Sequence, residues 1–166
     1  MFKVNDVIIY GTQGVCEIVD IEEKSISGVK KEYYVLKPVQ YQSSTIYAPV
    51  NNEHILKKMR RLLTVSEINS LIDSMPDETS SWIDNVSERK EHYKGLLASG
   101  DHSALIQTIK AIYAHKQRRE AEGKRLHVMD EHFFKEAEQI LYTEFQYVLN
   151  LNSKKDLMPY ILNRIG

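Results

Sequence analysis

The chain has 166 residues, 42% of them apolar, with 22 Lys and Arg against 23 Asp and Glu and a formal net charge of -1. That length allows one domain or two small ones, each with a modest core. The balanced charge excludes the strongly basic signature of a whole-protein nucleic-acid binder, so any such binding must come from local patches.

From the N-terminus the chain reads as short strands. Residues 6–10 (DVIIY) form a buried-strand candidate, and Gly11-Thr12-Gln13-Gly14 reads as a turn, because glycine tolerates positive φ. The opening lacks the apolar core of a signal peptide, and no apolar run nears the ~20 residues of a membrane span, so a cytoplasmic chain without a membrane segment is expected. Residues 15–23 alternate, with Val15, Ile18 or Val19, and Ile21 inward and Glu17, Asp20 and Glu22 outward. The single cysteine, Cys16, lies in this run and reads as a small buried hydrophobe. Being alone, it excludes an intrachain disulfide and a cysteine-rich zinc site. Ser27-Gly28 reads as a hairpin turn before a strand over residues 30–37. Further strands are expected over residues 44–48, ending at Pro49, and over residues 57–62. Five short strands in about 60 residues suit a small, bent barrel of SH3 or Tudor type.

After Leu63 the pattern becomes helical. Residues 64–75 carry Val65, Ile68, Leu71 and Ile72 at helical spacing, and Pro76 ends the run. Residues 77–81 read as a polar linker, with Ser80 or Ser81 capping a helix over residues 82–98. Gly100 is expected in the left-handed conformation after that helix. Asp101 should cap the next one, running to about Glu122 with Leu105, Ile109, Ile112 and Tyr113 on one face, and Gly123 should end it. A helix over residues 129–150 would turn Phe133, Ala137, Ile140, Leu141, Phe145 and Val148 inward. Ser153 and Asp156 resemble a capping box before a last helix over residues 157–164. The expected fold class is therefore α+β in two domains: a Tudor/SH3-like β-barrel over residues 1–63 and an all-α helical bundle over residues 64–166.

No residue set reads as catalytic, and neither a cofactor nor a metal is expected. The turn at residues 11–14 lacks the lysine and helix of a phosphate-binding loop. Of the six histidines only His127 and His132 are close, and their i,i+5 spacing does not share a helical face. No serine sits in a nucleophile elbow, and Glu22-Glu23 reads as a solvated hairpin end. Binding features are clearer. Lys110, Lys116, Arg118, Arg119, Lys124 and Arg125 face only Glu120 and Glu122. They either complement the helix dipole or contact phosphates. Trp82, the single tryptophan, has Arg89, Lys90 and Lys94 nearby in sequence. It either packs with Val86 and Tyr93 as a core stripe or acts as a stacking or wedging group beside nucleic acid.

These residues carry a resemblance. Residues 2–10 (FKVNDVIIY) with Gly14-Val15, then residues 28–37 (GVKKEYYVLK), Ile46-Tyr47-Ala48-Pro49, Leu97-Ala98-Ser99-Gly100-Asp101 and residues 136–141 (EAEQIL) follow in order. The set resembles the CarD/CdnL family of bacterial transcription regulators, whose N-terminal module also occurs in the transcription-repair coupling factor. The resemblance implies a Tudor-like domain that binds the RNA polymerase β subunit and a helical domain that contacts promoter DNA; the near-neutral charge predicts that this contact is weak, and phosphate contacts would make it largely independent of sequence. The resemblance also implies a non-enzymatic factor, expected here as a monomer, that modulates open-complex stability.

The resemblance places Lys24, Tyr47 and Pro49 at the polymerase-facing surface. Lys24 stands where a family arginine stands and lacks its bidentate fork; Tyr47 replaces a second arginine. It implies that Trp82 is the minor-groove wedge, with Arg89, Lys90 and Lys94 as the nearest phosphate contacts and Lys116, Arg118, Arg119, Lys124 and Arg125 further out. The alternative is a protein-interaction adaptor whose helical domain binds another protein rather than DNA.

Overall fold

The alternating stretches of the first half pair into one five-stranded antiparallel sheet in the computed structural model, which describes residues 1–77 and 81–165. The strands are β1 (Val7–Tyr10), β2 (Val15–Ile26), β3 (Val29–Pro38), β4 (Ile46–Pro49) and β5 (Met59–Arg61). Their order is β4-β3-β2-β1-β5, so the first and last strands are neighbours, as in a small SH3- or Tudor-type barrel. The β2–β3 hairpin turns through Ser27 and Gly28, with φ of 53° and 79°. A two-residue type I′ turn needs positive φ at both positions. Ile8, Cys16, Ile18, Tyr34, Leu36, Ala48, Val50 and Met59 form the core of this unit.

Two features depart from the sequence reading. A bulge between Ile18 and Asp20 resets the β2 register, so that Ile18 opposes Leu36 and Ile21 opposes Tyr34. Ile21 keeps the core side but is 37% exposed, because β2 there enters the outer part of the hairpin. A short helix, α1 (Glu53–Leu56), precedes β5, capped by the Asn52 side chain, which accepts from the His54 and Ile55 amides at 3.0 and 3.3 Å.

The chain divides into two compact units, Met1–Leu63 and Thr64–Gly166. The second is helical: α2 (Val65–Ser74), α3 (Val86–Ser99), α4 (His102–Ala121), α5 (Val128–Leu149) and α6 (Lys154–Ile165). Thr64 and Glu67 close a reciprocal capping box on α2, and the chain passes through a 3₁₀ turn at Met75–Asp77. Gly100 is left-handed with φ 65°, and the Asp101 carboxylate accepts from the Ala104 amide at 3.0 Å. Ile68, Ile72, Leu105, Ile112, Phe133, Ala137, Ile140, Leu141 and Phe145 are buried as their spacing requires, whereas Val65 and Tyr113 stay exposed. A buried Glu144 carboxylate meets His102 Nε2 at 3.1 Å. Among the described residues no helix is long and apolar enough to cross a membrane.

The expected helix over residues 82–98 is corrected at its start. Trp82 precedes the helix, and Asn85 is the cap, its Oδ1 accepting from the Glu88 amide at 3.0 Å. Ser81 lies before this cap and outside any helix, and the alternative cap Ser80 lies outside the described residues.

Cys16 is fully buried, and burial pushes its thiol up to about 11. The native protein should therefore resist a thiol-selective reagent at about pH 8, where reactivity requires the thiolate. Denaturation should release one reactive thiol per chain. Stoichiometric labelling without denaturant would show that the sheet opens readily.

Candidate functional site

Strand period determines which side chains of the N-terminal unit face outward. Tyr34, Leu36 and Ala48 point into the core, so their neighbours Tyr33, Tyr47 and Pro49 point away from it. Cross-strand pairing brings Glu22 opposite Tyr33 and Lys24 opposite Lys31 on that outer face. Tyr47 is 43% exposed, and Lys24 Nζ lies 3.5 Å from the centroid of its ring, a cation–π contact. Two of the residues read from the sequence thus meet directly. Pro49, two positions beyond Tyr47, lines a shallow depression with Lys31, Glu32 and Asn52. The outcome is a lysine-and-aromatic surface carried on rigid strands.

In the helical unit the geometry gathers around Trp82. Its ring stacks on His115 of α4, with centroids 3.6 Å apart and planes 9° from parallel. The Arg89 guanidinium carbon lies 4.4 Å from the indole centroid. Arg89 is itself 2% exposed and bonded to a fully buried Asp130: Nε to Oδ1 at 2.8 Å and Nη2 to Oδ2 at 3.0 Å. Its remaining nitrogen, Nη1, donates to the Ile83 and Asp84 carbonyls at 2.9 and 3.2 Å. These bonds take up two carbonyls ahead of α3 and explain why the helix starts at Val86 rather than at Trp82.

This corrects the placement of Arg89. The sequence put it two turns from Trp82 on the same helical face, and the resemblance made it a phosphate contact; in the fold its guanidinium is buried and committed to Asp130. Nor does Trp82 pack on Val86 and Tyr93 as a helical stripe. Tyr93 instead meets Phe133 edge-on at 5.6 Å, and burial, with Asp130 nearby, pushes its hydroxyl up to about 12.

The other cations differ in exposure. Lys90, Lys94, Arg118, Lys124 and Arg125 are exposed, while Lys116 and Arg119 are half-buried. Lys94 and Lys124 each have an acidic neighbour at 3.8 Å, Glu91 and Glu122 respectively. Arg119 Nε donates to the Arg125 carbonyl at 2.6 Å, tying the end of α4 to the loop after it. Arg118 and Arg119 act electrostatically on His115, so the stacked pair and the basic end of α4 form one neighbourhood.

Sequence reasoning missed His115 and Asp130. Neither carries a local signal: Asp130 is 41 positions from Arg89, and nothing in its surroundings marks it as a buried partner. Among the described residues, no group of three His, Cys, Asp or Glu side chains converges as a metal site would require.

The N-terminal unit is a small five-stranded β domain with a lysine-and-aromatic outer face. Residues 2–63 match the family model of the CarD-like/TRCF RID domain. The N-terminal unit is thus similar to the RNA polymerase-interacting domains of transcription proteins. The family interacts with the polymerase β subunit. The match spans the N-terminal unit, and the helical unit lies beyond it.

Replacing Asp130 by Asn should leave the buried Arg89 charge without its counter-ion and cost about 3–5 kcal/mol in a denaturant titration. Converting Arg89 and Asp130 together to Met and Leu should recover much of that loss, because an apolar pair avoids the desolvation penalty. In both variants the emission of Trp82, the single tryptophan, should change. An unchanged stability for Asp130→Asn would mean that the pair is solvated in solution.

Proposed function

We propose that this chain bridges RNA polymerase and promoter DNA and modulates the stability of the open complex. The N-terminal unit binds the polymerase β subunit through the face that carries Lys24, Tyr47 and Pro49. The helical unit contacts DNA at the edge of the melted region, with Trp82 as the group that wedges into the minor groove. Lys90, Lys94, Lys116, Arg118, Arg119, Lys124 and Arg125 supply phosphate contacts. Arg89 holds the indole from behind instead of meeting the phosphate itself. No substrate is transformed: a factor that binds the open state better than the closed one stabilises it by that difference in affinity.

The observation that carries this reading is the match of residues 2–63 to a polymerase-interacting domain. It is supported by an aromatic ring fixed outside its helix beside the basic end of α4. An apolar wedge beside cations is the usual device for partly unstacking a base step. With a net charge of -1, the free chain should bind duplex DNA weakly, and useful affinity arises once polymerase raises the local concentration.

One observation favours a second reading, an adaptor whose helical unit binds protein. A groove of about 770 Å³ runs between α4, α5 and α6, lined by Ile109, Tyr113, Phe134, Tyr142, Met158 and Leu162, which fits apolar side chains of a partner.

Two substitutions separate the readings. Trp82→Ala in the full chain should abolish its effect on open-complex lifetime while polymerase binding persists; the adaptor reading expects no effect. Lys24→Ala together with Tyr47→Ala should weaken binding to the polymerase β subunit by about tenfold, on the order of 1.4 kcal/mol, in a direct binding assay. Unchanged affinity in that pair would place the polymerase contact elsewhere on the unit.

A further inference from the structure

The contact between Trp82 and His115 has no counterpart in the sequence reading, and its surroundings favour one protonation state. The rings are 3.6 Å apart and nearly parallel. His115 Nδ1 is buried and has no hydrogen-bond partner. The charges that face the imidazole come from three helices: Arg118 and Arg119 from α4, Arg89 from α3 and Asp130 from α5. Asp130 is paired with Arg89, which leaves the two α4 guanidiniums as the uncompensated charge.

We propose that His115 is a positioning residue for Trp82: its neutral ring is the platform that holds the indole, and protonating or removing that ring releases it. A neutral imidazole offers a flat apolar face to the indole and leaves Nδ1 as a lone pair, which a buried site tolerates better than an N–H without an acceptor. Protonation would place that unpaired N–H in the buried position and add a fourth cation beside Arg89, Arg118 and Arg119. A charged imidazole would gain some attraction to the indole face, but Arg89 already lies against the same ring system. Repulsion and the orphaned donor oppose that gain.

Burial, then Arg118, lowers the affinity of His115 for a proton below its ordinary value of 6.5, with Asp130 acting the other way. The sign follows directly. The folded state binds the proton less well than the unfolded one, so the stability from this contact is complete above 6.5 and is lost as the pH falls through the lowered value. A held indole loses less side-chain freedom on docking than a mobile one. The consequence for promoter opening rests on the reading of Trp82 as the wedge; the platform itself does not.

The test uses the full chain, whose single tryptophan makes the contact visible without a label. Emission and acrylamide quenching would be followed from about pH 8 to about pH 5, the span over which histidine titrates, with circular dichroism reporting the fold. The expected result is a transition with its midpoint below 6.5 in which the indole becomes more accessible. His115→Phe, which keeps a neutral stacking ring, should abolish the transition and keep the indole shielded, and His115→Ala should leave it accessible throughout. The His115 ring-proton shift in the unsubstituted chain gives the same midpoint even where a variant folds poorly. Flat emission across the range, or a His115→Phe chain that titrates like the unsubstituted one, would overturn the proposal. With polymerase and promoter DNA, His115→Phe should retain open-complex stabilisation and His115→Ala should lose it at unchanged polymerase binding. If the titration is present but Trp82→Ala leaves promoter opening intact, the platform stands and the wedge reading falls.

Discussion

The buried pair between Arg89 and Asp130 is the interaction on which the helical unit's candidate surface depends. It joins the first turn of α3 to the first turn of α5 by two parallel bonds of 2.8 and 3.0 Å. An isolated ion pair in the interior is a poor source of net stability, because desolvation offsets most of the attraction. Its value here lies in what the third arm of the guanidinium does. By holding the Ile83 and Asp84 carbonyls, Arg89 satisfies two backbone acceptors of the segment ahead of the helix and fixes the chain before α3. Trp82 is thereby set off the helix and against α4. Position, and not strength, is the product of this pair.

The N-terminal unit solves a related problem with cheaper means. Its outward face is fixed by strand period and by the long β2–β3 hairpin, so Lys24 and Tyr47 need no buried charge to hold them. An arginine would offer a planar fork to a carboxylate; Lys24 offers a single ammonium resting on a tyrosine ring. The ring confines the lysine and leaves both groups open to a partner. A polymerase surface that met this pair would be read by an ammonium and a phenol, not by two guanidiniums.

Much of this architecture was legible in the chain because the signals are local. The Ser27-Gly28 turn, the left-handed Gly100 and the Asp101 cap each depend on a few neighbouring residues, and each appears where the sequence put it. The change from period two to helical spacing falls between the end of β5 at Arg61 and the start of α2 at Val65. The start of α3 shows where local reading fails. Asn85 followed by Glu88 is a cap signal present in the sequence, but Ser80 and Ser81 ahead of it offered caps for an earlier start. Only the partner of Arg89, 41 positions away, decides between them. The bulge after Ile18 and the stacking of Trp82 on His115 are likewise tertiary events. A basic residue in a helix looks solvated until a buried carboxylate is found opposite it.

The distribution of charge bears on how such a chain would act on DNA. The candidate DNA-facing cations lie on α3, along α4 and in the loop after it, but Lys94 and Lys124 each have a carboxylate at 3.8 Å. Exposed pairs of this kind contribute little to stability, yet each one reduces the positive field that an approaching phosphate meets. On the proposed reading this weakness is useful. A factor with strong intrinsic affinity would be held by nonspecific duplex, since counterion release favours any phosphate lattice equally. A weak one engages only where a tether raises its effective concentration to the millimolar range, of order 1 mM for a short linkage. Location would then come from the polymerase contact, and discrimination between closed and open DNA from the single fixed aromatic. On that proposal the two units would divide the task between them: the face carrying Lys24 and Tyr47 would determine where the chain acts, and the platform beneath Trp82 would determine which state of the DNA it favours.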